Sequence, residues 1–600
     1  MPAPSPLSSS TTLVTFTIKV EGTALPDTYQ VVSVNVTKEL NRISQATFVV
    51  RDGSPSDEAF PISDGTMLVP GKNVVITAGY NSTETQIFSG IIVQQALNIS
   101  ISDSLIEVIC KDKAVKMTVG RKNLYFNSGN SPVKDSDLIS KLIGNSGATA
   151  SVTATTVNQA QIYQYYSTDW DFMISRAEAN GMIVAVDDGT VSVKPPGVSE
   201  TAVLKVSYGD SLLDMQAQLE AIDQYSAVSA ASWDPAQQKL VTADGANPSV
   251  NAQGNITSST LSSVIGLSKF SLQSAAELPQ DELTVWAKAQ QMKSWMSRLK
   301  GTIRFQGSAL AKPDKLITVD GVGARYTGDL YIRAVTHTIE NGDWFTEADF
   351  GMDPTWFAEK NMITSPPAQG IIPPVHGLQV GIVKQIDEDP ANGFRVNIKL
   401  PLMANDGQAV WARMATFYAT NTAGAYFYPE VNDEVVVGFF DDDPRAPVIL
   451  GMVHSAKNAA PYTPDKKNTF KAIVSKSKLK IEIDDDKKIL TITTPGNNKM
   501  VFSDDAKSIT ITDQNNNSIK MESGGITIDS AKDVKISAKG NVSISATQKI
   551  SIAASGGDVE LSGINAKITA QAQLKASGNA QAELSSGAQT VVKGAIVMIN

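Results

Sequence analysis

Between Lys532 and Ala554 the chain reads KDVKISAKGNVSISATQKISIAA. Its aliphatic residues come in pairs two apart, Val534 with Ile536, Val542 with Ile544 and Ile550 with Ile552, and the pairs recur every eight residues. Spacing two is the strand period, so both members of a pair point to one face. The Ser, Ala, Lys, Gly, Asn, Thr and Gln between them suit surface and corners. Each octad is thus a short strand and a tight corner. The register starts at Ile526 and Ile528. It slips by one residue at Gly556-Gly557, where Val559 and Leu561 arrive late, and recovers through Ile568, Leu574, Leu584 and Val592. Ahead of residue 526 similar pairs stand seven to ten residues apart: Ile481/Ile483, Leu490/Ile492, Met500/Phe502, Ile509/Ile511 and Ile519/Met521.

A repeat with a fixed period constrains architecture more than any single motif does. Burying one aliphatic pair does not offset the backbone entropy of ordering an octad, and a lone zigzag of short strands leaves its edges open. Two solutions remain. One chain coils into a three-sided solenoid, or three chains wind together and each supplies one wall per layer. Single-chain left-handed solenoids favour a shorter repeat with one bulky aliphatic, so this pattern favours the intertwined trimer, with the fourteen paired residues from Ile526 to Val592 named above facing its interior. The last strand, KGAIVMIN, has no polar cap. It is expected to present Ile596, Val597, Met598, Ile599 and Asn600 as an apolar end that needs a partner.

Six hundred residues suggest several domains, and 42% hydrophobic residues are ample for their cores. A net charge of -10 argues against a general nucleic-acid binder. The one cysteine, Cys110, excludes an intrachain disulfide and sits in the strand-like run SLIEVICKD, which reads as a buried structural thiol. The opening MPAPSPLSSSTT (1–12) has neither the basic residues nor the apolar run of a signal peptide and reads as a flexible arm.

Residues 13–364 form the first domain. Strand-like runs fill 13–110: LVTFTIKV, YQVVSVNV, ATFVV, NVVITAG, QIFSGIIV and SLIEVIC. A helix is expected in DSDLISKLIG, capped by Asp135 or Ser136 and stopped at Gly144. A second, in STDWDFMISRAEANG, has a capping-box pattern in Thr168 and Asp171 and ends at Gly181. A hairpin turning at Asp188-Gly189 follows. A third helix is expected from Asp281 to Lys300, with Trp286, Ala289, Met292, Met296 and Leu299 on one stripe and Gly301 at its end. A Pro-rich linker covers 365–376. Residues 377–456 hold five strands, which suit a small closed Greek-key barrel such as an OB-fold. A second linker covers 457–470, and the octad region 471–600. Beyond Phe502 there is no aromatic residue, which suits a narrow core.

These segments resemble the VgrG-type spike proteins of type VI secretion and related contractile injection systems, a family that includes the fused hub and spike of contractile phage tails. The carriers are YYSTDWDFMISRAEANGMIVAVDDG (165–189), GLQVGIVKQIDEDPANGFRVNIKLP (377–401), YFYPEVNDEVVVGFFDDDPRAPVILGMVH (426–454) and the octads, in that order. The resemblance implies a mainly β, multidomain homotrimer: a hub of barrels with helices, an OB-fold neck and an intertwined β-helix needle. It implies docking on an inner tube within a baseplate, transient penetration of a target membrane, and delivery of effector cargo. It also implies a PAAR-type tip protein on Ile596 to Asn600. Such a protein is made in the bacterial cytoplasm and expelled with the apparatus to the extracellular space or target cell. The lysozyme domain that some phage relatives carry between barrel and needle is not expected in the short second linker. Nor is a toxin expected after the needle.

No catalytic, cofactor or metal residue is expected. His337, His376 and His454 lie far apart and in no metal-ligand spacing. Asp441-Asp442-Asp443 lacks the alternating ligands of a calcium loop and reads as a solvated turn closed by Pro444. Gly524-Gly525 and Gly556-Gly557 lack the full calcium-repeat motif and read as bulges or corners. No GxSxG, P-loop or Cys–His arrangement occurs. A secreted trimeric adhesin or receptor-binding fibre is the rival reading, but it has no need of the first 350 residues. A cell-wall hydrolase is the third, and it lacks a catalytic insert.

Overall fold

The computed structural model describes residues 3–7, 13–126, 131–402 and 408–599. It is mainly β and multidomain, and it separates into two compact units, Met1–Val453 and His454–Asn600.

The first unit opens with six strands: β1 (Val14–Val20), β2 (Val31–Glu39), β3 (Gln45–Arg51), β4 (Asn73–Tyr80), β5 (Thr83–Ile99) and β6 (Ser104–Lys111). Alternation places Val34, Val36, Phe48, Val50, Ile76, Ile106 and Val108 in one core, along with Cys110. Burial pushes the Cys110 thiol up to about 12, so it is an inert packing residue.

Helices α1 (Asp135–Ser146) and α2 (Asp169–Ala179) pack with the hairpin β7 (Ile183–Asp187) and β8 (Thr190–Lys194) around a second core of Leu138, Ile139, Leu142, Met173, Ile174 and Val191. The hairpin turns at Asp188 and Gly189, both at positive φ. Thr168 caps α2, its hydroxyl accepting from Asp171 N–H at 3.0 Å. Helix α1 differs from expectation. It runs past Gly144 and stops at Gly147, which takes the left-handed conformation. Asp135 lies inside its first turn rather than capping it, because its carboxylate is drawn to Arg176.

A second strand-rich region follows, built from β9 (Leu204–Ser207), β10 (Leu212–Leu219), β11 (Leu299–Gln306), β12 (Leu316–Asp320), β13 (Gly328–Glu340) and β14 (Asp343–Phe350) around a core that includes Ile303, Phe305, Ile317 and Leu330. Between β10 and β11, helix α3 spans Gln280–Met296. That helix is shorter than the expected Asp281 to Lys300: Leu299, Lys300 and Gly301 belong to β11. Gly301 is not a helix stop. A Cβ there would meet Gln216 O at 2.0 Å and the Phe350 ring at 2.7 Å, so it permits the close approach of β10. One open sheet runs through both regions in the order β10-β11-β14-β13-β2-β3-β6-β5-β4-β1, the two joined where β13 pairs β2. Part of the N-terminal arm is held rather than free. Pro4 O accepts from Lys205 N–H at 2.9 Å beside β9, and Pro6 is buried.

The last part of this unit is a closed barrel of β15 (Gln379–Gln385), β16 (Val396–Lys399), β17 (Val410–Met414), β18 (Glu434–Phe439) and β19 (Pro447–Met452), in the order β15-β16-β17-β19-β18. Val383, Val396, Ile398, Ala412, Val435, Val437 and Ile449 fill it. The acidic turn beside it is not simply solvated. Asp441 accepts from Gln369 Nε2 at 2.7 Å, Asp442 lies 2.9 Å from His376 Nδ1, and Asp442 O accepts from Val375 N–H at 2.8 Å. The turn therefore clasps the preceding Pro-rich segment to the barrel.

In the second unit, residues 470–529 form a seven-stranded antiparallel meander, Phe470–Val474, Lys480–Asp484, Ile489–Thr493, Lys499–Ser503, Ser508–Thr512, Ser518–Glu522 and Gly525–Asp529, each strand paired with its neighbours in sequence. This corrects the choice between a coil and interchain walls for that stretch: here the strands pair within one chain. From 530 to 599 no strand is formed, and every residue from 531 to 599 is exposed.

Candidate functional site

The meander presents one unusual surface. Ile473, Ile481, Ile492, Met500, Ile511, Ile519 and Ile528 are successive cross-strand partners, and so are Ile483, Leu490, Phe502, Ile509, Met521 and Ile526. Since side chains alternate, both rows lie on one face. Eight of them (Ile481, Ile483, Ile492, Phe502, Ile509, Ile511, Ile519, Met521) are 36–43% exposed, whereas Thr491 and Ser503 on the reverse face are 8% exposed. The apolar face is the open one. The polar face is also the one that residues 457–470 dress: Tyr462 stacks on Phe470 at 5.4 Å and its hydroxyl bonds Glu482. An apolar patch of this length exceeds what a lone soluble chain ordinarily leaves bare.

The octad residues expected in the needle interior continue the pattern. Ile526, Ile528, Val534, Ile536, Val542, Ile544, Ile550, Ile552, Val559, Leu561, Ile568, Leu574, Leu584 and Val592 are 50–79% exposed in the single chain. Ile596, Val597, Met598 and Ile599 are exposed as well. Asn600 lies outside the described residues.

The first unit holds ion pairs that the sequence did not point to. Arg176 on α2 grips Asp135 on α1 through two bonds, 2.8 and 2.9 Å, and Asn180 adds a third at 2.9 Å. Lys293 on α3 donates to Glu178 at 2.8 Å and lies over the Trp356 ring. Glu178 also accepts from Phe357 N–H at 2.7 Å. These pairs tie α1, α2, α3 and the segment after β14 together. A cleft of about 940 Å³ beside them is lined by Glu39, Arg333, Asp349, Asp353 and Lys360. Those charges answer one another, Arg333 bridging Glu39 and Asp349, and Lys360 meeting Asp353.

The histidines are scattered. His337 is buried against Thr346, 3.0 Å away, and burial, helped by Lys38 and Lys312, pulls it down to about 3. His376 belongs to the clasp described above. Among the described residues no group of His, Cys, Asp and Glu is placed to hold a metal ion, and no helix is long and apolar enough to cross a membrane.

Residues 379–454 match the model of the type VI secretion system/phage-baseplate injector OB domain, and residues 10–341 match that of the Alg8 N-terminal domain. The type VI secretion system spike protein VgrG3 of Vibrio cholerae serotype O1 is 36% identical over 81 residues, 13% of this chain and 8% of that one. The spike protein VgrG1a of Pseudomonas aeruginosa is 25% identical over 179 residues, 28% of this chain and 27% of that one. The chain thus spans 8% and 27% of the length of these curated relatives. A tail protein from Neisseria meningitidis MC58 overlaps 57% of this chain and 98% of its own, at 14% identity and a TM-score of 0.42. The chain is similar to VgrG-type spike proteins over part of its length. Through the model that spans more than half its length, the chain belongs to the Alg8 N-terminal domain family, with an injector OB domain following.

Proposed function

We propose that this chain is the structural hub and spike of a contractile injection machine and not an enzyme. Three copies cap the inner tube within a baseplate, and the needle is driven through a target envelope ahead of effector cargo. The observation that carries this reading is the two-row apolar face from Ile473 to Ile528, more open to water than its own polar reverse face. Three such sheets, apolar faces inward, make a closed prism in which each chain supplies one wall. Beyond Asp529 the octads lack intrachain partners, and their strands pair between chains. Winding of this kind suits a needle under load, because no strand can peel away alone. The protein is made in the bacterial cytoplasm and leaves with the apparatus. Co-expression with the cognate inner-tube protein tests the role: a complex of the intact chain with tube subunits is expected, and a chain that never binds tube contradicts it.

The exposed Ile596, Val597, Met598 and Ile599, with Asn600, form the docking face of a PAAR-type tip protein in this reading. Deleting 596–600 from the full chain should abolish capture of the tip protein while leaving the trimer intact. Undiminished capture would move the tip elsewhere.

A further inference from the structure

A cleft of about 1250 Å³ opens in the first unit beside Arg176 of α2 and the start of α3. Part of its wall is a short sheet inserted between β10 and α3, with strands Lys239–Asp244, Val228–Asp234 and Phe270–Ser274 in that order, so that Lys239–Asp244 is an edge. Leu240 lines the cleft, and its cross-strand partner Trp233 stands exposed beside it. Residues 158–163 supply more of the wall. There the exposed Tyr163 ring stacks on that of its cross-strand partner Tyr125, with 6.3 Å between centroids and 19° between planes, which fixes the orientation of Tyr163. Asn158, Gln161 and Gln237 line the cleft as well, and their side chains bond no other described residue.

The lining decides the ligand class. Its charges are Arg176, Asp234, Lys239, Glu277 and Glu282, two cations against three anions. Arg176 is taken by Asp135 and Glu282, and Asp234 holds its own turn by accepting from Ala236 N–H and Gln237 N–H at 2.9 and 3.0 Å. A polyanion would meet one free lysine and an excess of carboxylates. An extended peptide would add to the sheet edge at Lys239–Asp244. That edge is closed at Thr242, whose carbonyl accepts from Gln280 Nε2 at 2.9 Å. What remains is exposed aromatic rings beside uncharged amides, and an amide both donates and accepts. This pairing suits a neutral sugar, whose apolar C–H face lies on a ring while its hydroxyls bond the amides. The cleft is large enough for several sugar units in a row. We infer that it binds a neutral oligosaccharide, with Tyr163 as the stacking platform and Gln161 and Gln237 as the groups that bond its hydroxyls. The cleft lies within one chain and needs no second copy.

The test titrates the full chain with cellohexaose, maltohexaose and chitohexaose, using calorimetry and saturation-transfer NMR, with hexagalacturonate as an acidic control of similar size. At least one neutral hexasaccharide should bind with a Kd of about 1 mM or tighter, and hexagalacturonate should bind more weakly than it. Tyr163→Ala should weaken the binding about tenfold, whereas Tyr163→Phe, which keeps the ring, should retain it. Gln237→Ala, at an exposed turn position, should also weaken it and serves as the second variant if Tyr163→Ala folds poorly. Tyr208→Ala, at an exposed tyrosine outside the cleft, should change nothing. Failure of every neutral hexasaccharide to bind overturns the inference. So does binding that both Tyr163→Ala and Gln237→Ala leave unchanged, and so does tighter binding of hexagalacturonate, which would mean an anion site.

Discussion

Asp135 shows what a single residue does in this hub. It is fully buried, it accepts two bonds from Arg176 and one from Asn180, and it sits where α1 and α2 meet. Removing one partner of a buried pair strands the other charge. Asp135→Ala should cost about 3 kcal/mol, the low end of that range, because Arg176 keeps Glu282 at 3.5 Å; chemical denaturation of the intact chain measures it. His337 gives a pH dependence. Its folded value, about 3, lies below the ordinary 6.5, so the unfolded chain takes up the proton first. Stability is therefore lost as pH falls from about 6.5 toward 3, by up to about 1.4 kcal/mol per pH unit. His337→Gln should flatten that part of the profile relative to the unmodified chain. At this scale the sequence was legible where a local rule applies, as in the Thr168 cap. It was opaque where a distant contact decides. Gly301 looks like a helix stop, yet it answers to Gln216 O on another strand. Asp135 looks like a cap, yet it answers to an arginine 41 residues away.

Among the elements, the octads were readable because period and face are one-dimensional properties. Who pairs with whom is not. The pairs up to Ile526/Ile528 have the same spacing within each strand, and there the chain makes an antiparallel meander of its own, even across the seven-residue step from Ile519 to Ile526. The octads after Asp529 have that same spacing and form no strand. The five barrel strands were readable because each alternates or runs apolar between turn residues. The clasp by the acidic turn was missed because Gln369 and His376 are distant in sequence. The open face makes a direct prediction. Ile511→Asp places three carboxylates at the centre of the prism, and trimer yield should collapse, whereas Thr510→Asp, on the reverse face of the same strand, should be mild. Equal behaviour of the two would mean that the face is not an interface.

At the scale of the whole molecule, a single chain is an incomplete object. Its two units differ in this respect. The first carries its own cores, from the strand core around Phe48 to the closed barrel around Val437. In the second, the aliphatic rows that a folded chain should bury stay open. That contrast was foreshadowed by the composition, since apolar pairs continue to the end of the sequence while the aromatics that fill ordinary cores stop at Phe502. The native mass of the purified full-length chain tests the claim most directly. The expected result is a single species at three times 63.8 kDa that persists on dilution. A stable, folded species at 63.8 kDa would contradict it, because the apolar face would then be covered by something other than two further copies.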